Sequence, residues 1–451
     1  MKGFENFISN ISNFIWGYPI IILLLGTHIL LTIRLKFIQR YIIKGIKLSL
    51  EKKKEGVGDI SHFGALTTAL AATIGTGNIV GVATAIASGG PGAVLWMWLT
   101  GVFGIATKYA EALLSVKYRI KTEGGLMAGG PMYVLERGMN KRWLGLLFAF
   151  FTAITAFGIG NTVQANSISS MIRETFGLET WLTGLILAVL TAVVIIGGIK
   201  SIAKWCEKLV PFMAIFYVAG CIILILKNIG SIPDSIKLIV SSAFTGHAAV
   251  GGFIGAGVKE AIRFGVARGL FSNESGLGSA PIVAAAAQTK NPVRQALVSS
   301  TGTFWDTVVV CAITGITLVN SFKWMKGYDG AVMTQAAFAG IHTLGPMILA
   351  VALFIFVFST IIGWSYYGEK AIEYLIGVSA IKVYRWIWVV MVFIGSVVTI
   401  KIVWAFADIA NACMAFPNLV SLILLNRVIV DETRKYLWEG NLDQKEDISN
   451  S

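Results

Sequence analysis

Apolar stretches of membrane-spanning length recur along nearly the whole chain, and nothing else in the sequence restricts the fold as strongly. A hydropathy reading places eleven of them, near 14–33, 64–88, 92–116, 143–171, 181–199, 208–226, 251–287 (interrupted), 297–319, 344–368, 383–399 and 402–426. A helix needs roughly 20 apolar residues to cross the hydrocarbon core, and only structures that satisfy their own backbone polar groups survive there. The expected fold is an all-α polytopic membrane protein with about 11 transmembrane helices. Composition agrees, since 55% of the 451 residues are hydrophobic and 14% are charged. A soluble domain carries about 25% charge, so an ordinary cytosolic enzyme is excluded, and so is a disordered chain. The first stretch has spanning length and no small-residue cleavage site after it, so it reads as a helix and not as a signal peptide.

The formal net charge of +13 raises the question of nucleic acid. The positions of the 37 Lys and Arg answer it: 26 fall in alternate gaps between spans, including eight from Arg34 to Lys54 and six from Lys117 to Arg142. That asymmetry orients the helices with the N-terminus outside and the C-terminus cytoplasmic in the cell membrane. Without a basic stripe carrying interleaved aromatics, no nucleic-acid partner is expected. Cys206, Cys221, Cys311 and Cys413 lie in or beside apolar spans with no CxxC pair, and His28, His62, His247 and His342 share no ligand spacing. Neither set reads as a transition-metal site.

Comparing the chain with itself reveals an inverted repeat. Gly75-Thr76-Gly77-Asn78 in the second span, moved by 201 residues, lands on Gly276-Leu277-Gly278-Ser279 in the seventh. The register continues through Pro91 and Pro292 to Thr100-Gly101-Val102-Phe103 and Thr301-Gly302-Thr303-Phe304. The two copies begin five spans apart, so they run in opposite directions through the membrane. Paired Gly-interrupted segments in inverted halves point to a secondary-transporter site near the midplane. Glycine in a helix interior costs roughly 0.8–1 kcal/mol relative to alanine, so each pair is expected to mark a broken helix. Unwinding at 75–77 would free the N–H groups that begin the next half-helix, which can bind a carboxylate without a cationic side chain. Close helix packing through small residues is the alternative, and it explains the polar run Ser272-Asn273-Glu274-Ser275 poorly.

At these residues the chain resembles the alanine or glycine:cation symporter family, amino-acid transporters with a LeuT-like fold. The motifs are Ala71-Ala72-Thr73-Ile74-Gly75-Thr76-Gly77-Asn78-Ile79-Val80-Gly81, Gly129-Gly130-Pro131-Met132-Tyr133, and the run from Gly269 to Pro281 through Phe271-Ser272-Asn273-Glu274-Ser275-Gly276. Ser275 departs from the family, which more often has alanine there. The resemblance implies one peripheral helix plus a 5+5 inverted repeat of LeuT type, with the second and seventh spans as its broken helices. The amides near Thr76 and Gly77 would take the substrate carboxylate, and carbonyls around Thr73, Phe271 and Ser272 would face the ammonium. A sodium site would use the carbonyls of Ala71 and Ile74 with hydroxyls of Ser359 and Thr360. Sodium is then the one coupled ion, with no organic cofactor.

The residues themselves allow the same assignment. Thr360 and Trp364 are four apart and share a helical face, so a hydroxyl could ligate a cation while the indole closes a small pocket. Hard cations prefer such oxygen ligands. Back-bonding of Ser359 and Thr360 to the preceding turn and plain core or belt packing of Trp364 are the competing explanations. Gly75, Asn78, Gln164, Glu274 and Gly276 complete the candidate substrate contacts. Asn161 and Gln164, three apart, would otherwise bond between helices. Glu274 either meets the ammonium or a cation, or pairs with Arg268 or with loose backbone N–H groups. Lys108 and Glu111 are expected to pair, Lys259, Glu260, Arg263 and Arg268 to line an outer vestibule, and Asp306 and Asp408 to be coupling or structural acids.

The expected division is a peripheral helix and basic segment at 1–60, a first repeat at 61–250, a second at 251–427 and a cytoplasmic tail at 428–451. The expected activity is import of small neutral amino acids, alanine or glycine, coupled to sodium by alternating access. Proton coupling through Glu274 or Asp306 is the alternative. A membrane-embedded enzyme would need a catalytic constellation that the sequence lacks, and a channel does not need inverted broken helices. The expected working unit is a monomer in contact with lipid.

Overall fold

A computed structural model of the chain describes residues 15, 17–51, 56–245, 257–328, 330–341, 345–398 and 401–445, with backbone alone for Tyr18 and 401–408. The start of the interrupted span at 251–256, His247, His342, the last tail residues 446–451 and the side chain of Asp408 lie outside the described residues.

The fold is a bundle of helices, with a two-residue antiparallel hairpin of β1 (Ile120–Lys121) and β2 (Met127–Ala128) outside it. In chain order the helices are α1 (Tyr18–Arg34), α2 (Ile42–Ser49), α3 (His62–Thr73), α4 (Val82–Gly89), α5 (Ala93–Lys117), α6 (Arg142–Phe157), α7 (Val163–Phe176), α8 (Thr180–Ile195), α9 (Gly198–Lys227) and α10 (Ile232–Thr245). The second half has α11 (Val258–Asn273), α12 (Pro281–Ala284), α13 (Pro292–Thr303), α14 (Ala312–Asn320), α15 (Gly330–Phe338), α16 (Gly345–Ile376), α17 (Ile381–Val397), α18 (Lys401–Leu424) and α19 (Asn426–Thr433). Among the described residues, five continuous helices are long and apolar enough to cross a membrane: Arg142–Phe176, Gly198–Lys227, Pro292–Asn320, Gly345–Ile376 and Val378–Val397. Three bent pairs qualify when each is taken as one span: Pro19–Arg34 with Ile38–Ser49, His62–Thr73 with Gly77–Gly89, and Ile409–Leu424 with Asn426–Trp438. Large apolar side chains cover the outside, among them Ile22 and Ile33 of α1, Val189 and Val193 of α8, Ile215 of α9 and Val390 of α17. Such a surface is stable only against lipid.

Two features differ from the sequence reading. Lys200, Lys204 and Lys208, expected in a gap between spans, lie on the first turns of α9, which runs unbroken from Gly198 past Pro211 to Lys227. The helix starts early because Gly197-Gly198 ends α8, with Gly198 at φ +67, and the next breaker comes only at Pro211. The tail expected from 428 is helical through Trp438 and docked. Buried Ile429, Thr433 and Tyr436 recur at helical spacing on one face. Thr433 shares a hydrogen bond with Tyr109 of α5 at 2.9 Å, and Lys117 pairs with Glu432 at 2.6 Å.

Beyond that helix the chain closes over the start of α13. Asn291 caps α13 by accepting from the Arg294 N–H, while its amide donates to the carbonyls of Leu442 (2.8 Å) and Gln444 (2.9 Å). Arg294 pairs with Asp443 at 2.5 Å and with Glu51. Asn291→Ala should therefore destabilise the protein by about 1–2 kcal/mol through the lost cap and expose the end of the chain to protease. Asn291→Asp keeps the capping oxygen, so it should restore most of the thermal stability while leaving the tail cleavable. Thermal melts and limited proteolysis read the two effects separately.

Candidate functional site

Both Gly-marked segments interrupt their helices, and both are buried. α3 stops at Thr73, Ile74 is extended (ψ 95), and helix resumes with a wide turn at Gly77–Gly81 before α4. The two halves meet at 53°. The second break is longer. α11 stops at Asn273, and Glu274, Gly276 and Gly278 all take positive φ (54, 98 and 83) before α12 begins at Pro281. Glycine is the residue that tolerates this backbone, which explains the two glycines there.

Freed backbone groups inside lipid must find partners, and the two breaks solve this differently. At the second, every N–H from 274 to 278 is taken. Glu274 N–H donates to Leu270 O, Ser275 N–H to Asn273 Oδ1 and Leu277 N–H to Glu274 O. The Gly276 and Gly278 N–H groups both donate to Glu111 Oε1 at 3.0 Å. The candidate contact Gly276 thus has its N–H on Glu111 and its carbonyl on the Asn418 amide. At the first break, Ile74 N–H donates to Leu70 O and Gly75 N–H to Asn78 Oδ1. Thr76 and Gly77 open the next helical segment, where no preceding turn exists to receive their N–H groups. The buried Thr76 hydroxyl also has no partner among the described residues.

The breaks touch each other. A Cβ on Gly77 would lie 3.2 Å from the Phe271 ring and 3.3 Å from Ser272 Cα, so the glycine lets the first half-helix sit on the end of α11. Asp306, fully buried on the wide turn Phe304–Cys311, ties them together by accepting from Asn78 Nδ2 (2.7 Å), Ser272 Oγ (2.9 Å) and Thr307 Oγ1 (2.6 Å). Candidates Asn78 and Ser272 are therefore brought together, through an acid the sequence could name but not place.

α16 supplies the opposite wall. Ser359 Oγ and Thr360 Oγ1 both donate to Phe356 O, at 2.8 and 3.0 Å, and Ser359 Oγ also lies 3.3 Å from Ala71 O. A Cβ on Gly75 would stand 2.5 Å from Thr360 Oγ1. The back-bonding is real; Ser359 Oγ also lies within donor reach of Ala71 O and of Met213 Sδ, 3.3 Å each, so both hydroxyl oxygens stand beside Ala71 and Gly75. Thr73 back-bonds likewise, to Ala69 O and Leu70 O. Trp364 Nε1 donates to Glu274 Oε1 at 3.1 Å, and Glu274 Oε2 receives Ser279 Oγ at 2.5 Å. Glu274 is thus tied to Trp364 and Ser279, while Arg268, one of its alternative partners in the sequence reading, lies 5.8 Å from the centre of the Phe271 ring. Gly160 of the wide turn Gly158–Thr162 lies against Trp364, which brings α7 and Gln164 to this wall. Gln164 donates to Ile159 O, and its Oε1 has no partner among the described residues; Asn161 donates to Trp388 O.

The expected Lys108–Glu111 hydrogen bond does not form. Glu111 turns to the second break, and buried Lys108 Nζ has no hydrogen-bond partner among the described residues. It faces a small cavity beside Thr73, Asn273 and Thr303. The proximity that draws Glu111 away is set by the positive-φ glycines, which aim two N–H groups at one point. Glu260 and Arg263 of the expected vestibule pair at 3.8 Å. Sequence reasoning missed Asn418, which donates to Glu111 Oε1 at 2.7 Å from α18, because nothing along its own span points to an acid 307 residues earlier.

Sequence comparison decides the family: residues 1–450 match the profile of the sodium:alanine symporter family. The chain belongs to that family. It is 50% identical over 444 residues to the sodium/alanine symporter AgcS of Methanococcus maripaludis, covering 96% of this chain and 97% of that one. It is 36% identical over 439 residues to the putative sodium/proton-dependent alanine carrier protein YrbD of Bacillus subtilis, covering 93% of this chain and 90% of the other. A crystal structure of an Eremococcus coleocola manganese transporter mutant has a similar fold, with TM-score 0.52 and 14% identity over 88% of this chain and 85% of that one. The symporter-family chain is accordingly a multi-pass membrane transporter.

Gly77→Ala tests the contact between the breaks. The added methyl must push Phe271 or the Ser272 backbone aside, so ligand affinity should fall about tenfold, equivalent to about 1.4 kcal/mol. The melting temperature of the ligand-free protein should change little. An unaltered affinity in a binding titration would mean that the breaks do not form one site.

Proposed function

We propose that the protein imports small neutral amino acids, alanine or glycine, coupled to sodium by alternating access. The observation that carries this reading is the meeting of Ala71 O, Ser359 Oγ and Thr360 Oγ1 beside the N–H groups that open the half-helix at Thr76 and Gly77. Carbonyls of Ala71 and Ile74 with the two hydroxyls make an all-oxygen set of the kind a hard cation takes. A sodium ion there adds positive charge next to a half-helix N-terminus, and the two together suit a carboxylate. The ammonium then faces the carbonyls near Thr73, Phe271 and Ser272, and Trp364 with Gln164 limits the room for a side chain. Names of the relatives, sodium/alanine and sodium/proton-dependent alanine carriers, support amino-acid and cation as the cargo pair.

The architecture that goes with this function is one peripheral helix followed by a 5+5 inverted repeat of LeuT type, divided at 61–250 and 251–427. The 201-residue offset supports it, as both breaks fall at corresponding positions. The distribution of Lys and Arg supports an outside N-terminus and a cytoplasmic C-terminus. Sodium binding would stabilise the paired breaks for one opening, and release would follow when the repeat swings to the other side.

Labelled alanine should enter proteoliposomes only under an inward sodium gradient; equal uptake with potassium or choline in its place would refute the proposal. Thr360→Ala should raise the sodium concentration for half-maximal uptake about tenfold or more, with thermal stability changed by about 1 kcal/mol or less. Proton coupling through Glu274 or Asp306 is the second reading, favoured by the burial of both acids at the site. Under it, uptake would follow a pH gradient without sodium, and Glu274→Gln or Asp306→Asn would abolish that dependence.

A further inference from the structure

We infer that Glu111 is a positioning residue for substrate: by occupying the Gly276 and Gly278 N–H groups of the second break, it keeps the substrate carboxylate off them and directs it to the first break. The inference rests on the proposed amino-acid site between the breaks. A single oxygen, Glu111 Oε1, accepts three hydrogen bonds, from Gly276 N–H and Gly278 N–H at 3.0 Å and from Asn418 Nδ2 at 2.7 Å. The Asn418 amide also donates to Gly276 O at 2.9 Å. Glu111 comes from α5 and Asn418 from α18, so elements far apart in sequence hold both polar faces of one glycine. Glu111 is 3% exposed and Asn418 2%, so water does not compete for these groups.

Two N–H groups converging on one point form a natural anion seat. They lie four to seven residues beyond Phe271 and Ser272, whose carbonyls are proposed to face the ammonium, so an open seat there would offer a zwitterion's carboxylate a second place to bind and a reversed orientation. Glu111 fills the seat with a tethered carboxylate. The remaining N–H groups from 274 to 278 are bonded within the segment, so removing Glu111 unblocks that seat. Its other oxygen, Oε2, has no partner among the described residues, so the accepting Oε1 holds the seat and the second oxygen adds no bond to it. Gln retains such an oxygen and Ala does not.

The test compares wild type, Glu111→Ala, Glu111→Gln and Asn418→Ala as full-length proteins in proteoliposomes, with alanine as the probe. The expected result for Glu111→Ala is a KM for alanine raised about tenfold or more, with the maximal rate and the sodium half-saturation within about threefold of wild type. Glu111→Gln should recover most of the lost affinity, to within about threefold of the wild-type KM. An unchanged KM in Glu111→Ala overturns the inference. So does a fall in maximal rate alone that Gln fails to rescue, because that marks a strut with no bearing on substrate. Should Glu111→Ala not fold, Asn418→Ala decides: a KM raised about threefold supports the inference, and an unchanged KM overturns it. Failure of the functional reading would look different, since wild type itself would then show no sodium-driven alanine uptake.

Discussion

A backbone that leaves the helix inside a membrane must still satisfy every N–H and carbonyl it frees, and the centre of this protein is organised by that requirement. The buried second break, from Asn273 to Pro281, recruits Glu111 from α5 and Asn418 from α18. α5 lies against both α11 and α13, and it carries two buried ionisable residues, Lys108 and Glu111, through the middle of the bundle. Burying a carboxylate is costly unless it is well hydrogen-bonded, and three donors on one oxygen meet that condition.

The first break is satisfied in another way, and the difference gives the site a direction. Its freed N–H at Gly75 is held by Asn78, Asn78 by Asp306, and Asp306 by Ser272 and Thr307. What stays open is the start of the half-helix at Thr76 and Gly77, with the hydroxyl-bearing face of α16 across from it. The first break therefore offers donors at the start of its half-helix, while the N–H groups from 274 to 278 of the second are spent. Under the proposed function, a zwitterion placed between the two would have a preferred orientation without any opposing pair of side-chain charges at the substrate. The low charged fraction of the chain fits such a site.

Much of this was legible in the sequence. Apolar run lengths gave the helical membrane fold, and the Gly pairs at 75–77 and 276–278 marked both breaks because few residues other than glycine tolerate the backbone found at the second. Thr360 and Trp364 could be grouped by helical spacing, and Ser359 came with the family resemblance. What stayed hidden was long-range partnership. Glu111 looked like a mate for Lys108 one turn away, since spacing along a helix says nothing about a chain segment arriving from 165 residues later. Asp306 and Asn418 could be read as polar residues in apolar spans, and their roles exist only once Asn78 and Gly276 have been folded against them. The docked tail escaped for a similar reason: its anchor, Asn291, doubles as an ordinary helix cap.

The central claim is that a cation beside the first break and the amides at Thr76 and Gly77 together hold the substrate carboxylate. Titration calorimetry of alanine into the purified protein, in sodium and then in potassium, tests it directly. The account predicts saturable binding in sodium that weakens at least about tenfold in potassium, with no binding of ethylamine, which lacks the carboxylate, in either salt. Equal affinity for alanine in both salts, or ethylamine binding as tightly as alanine, would contradict it.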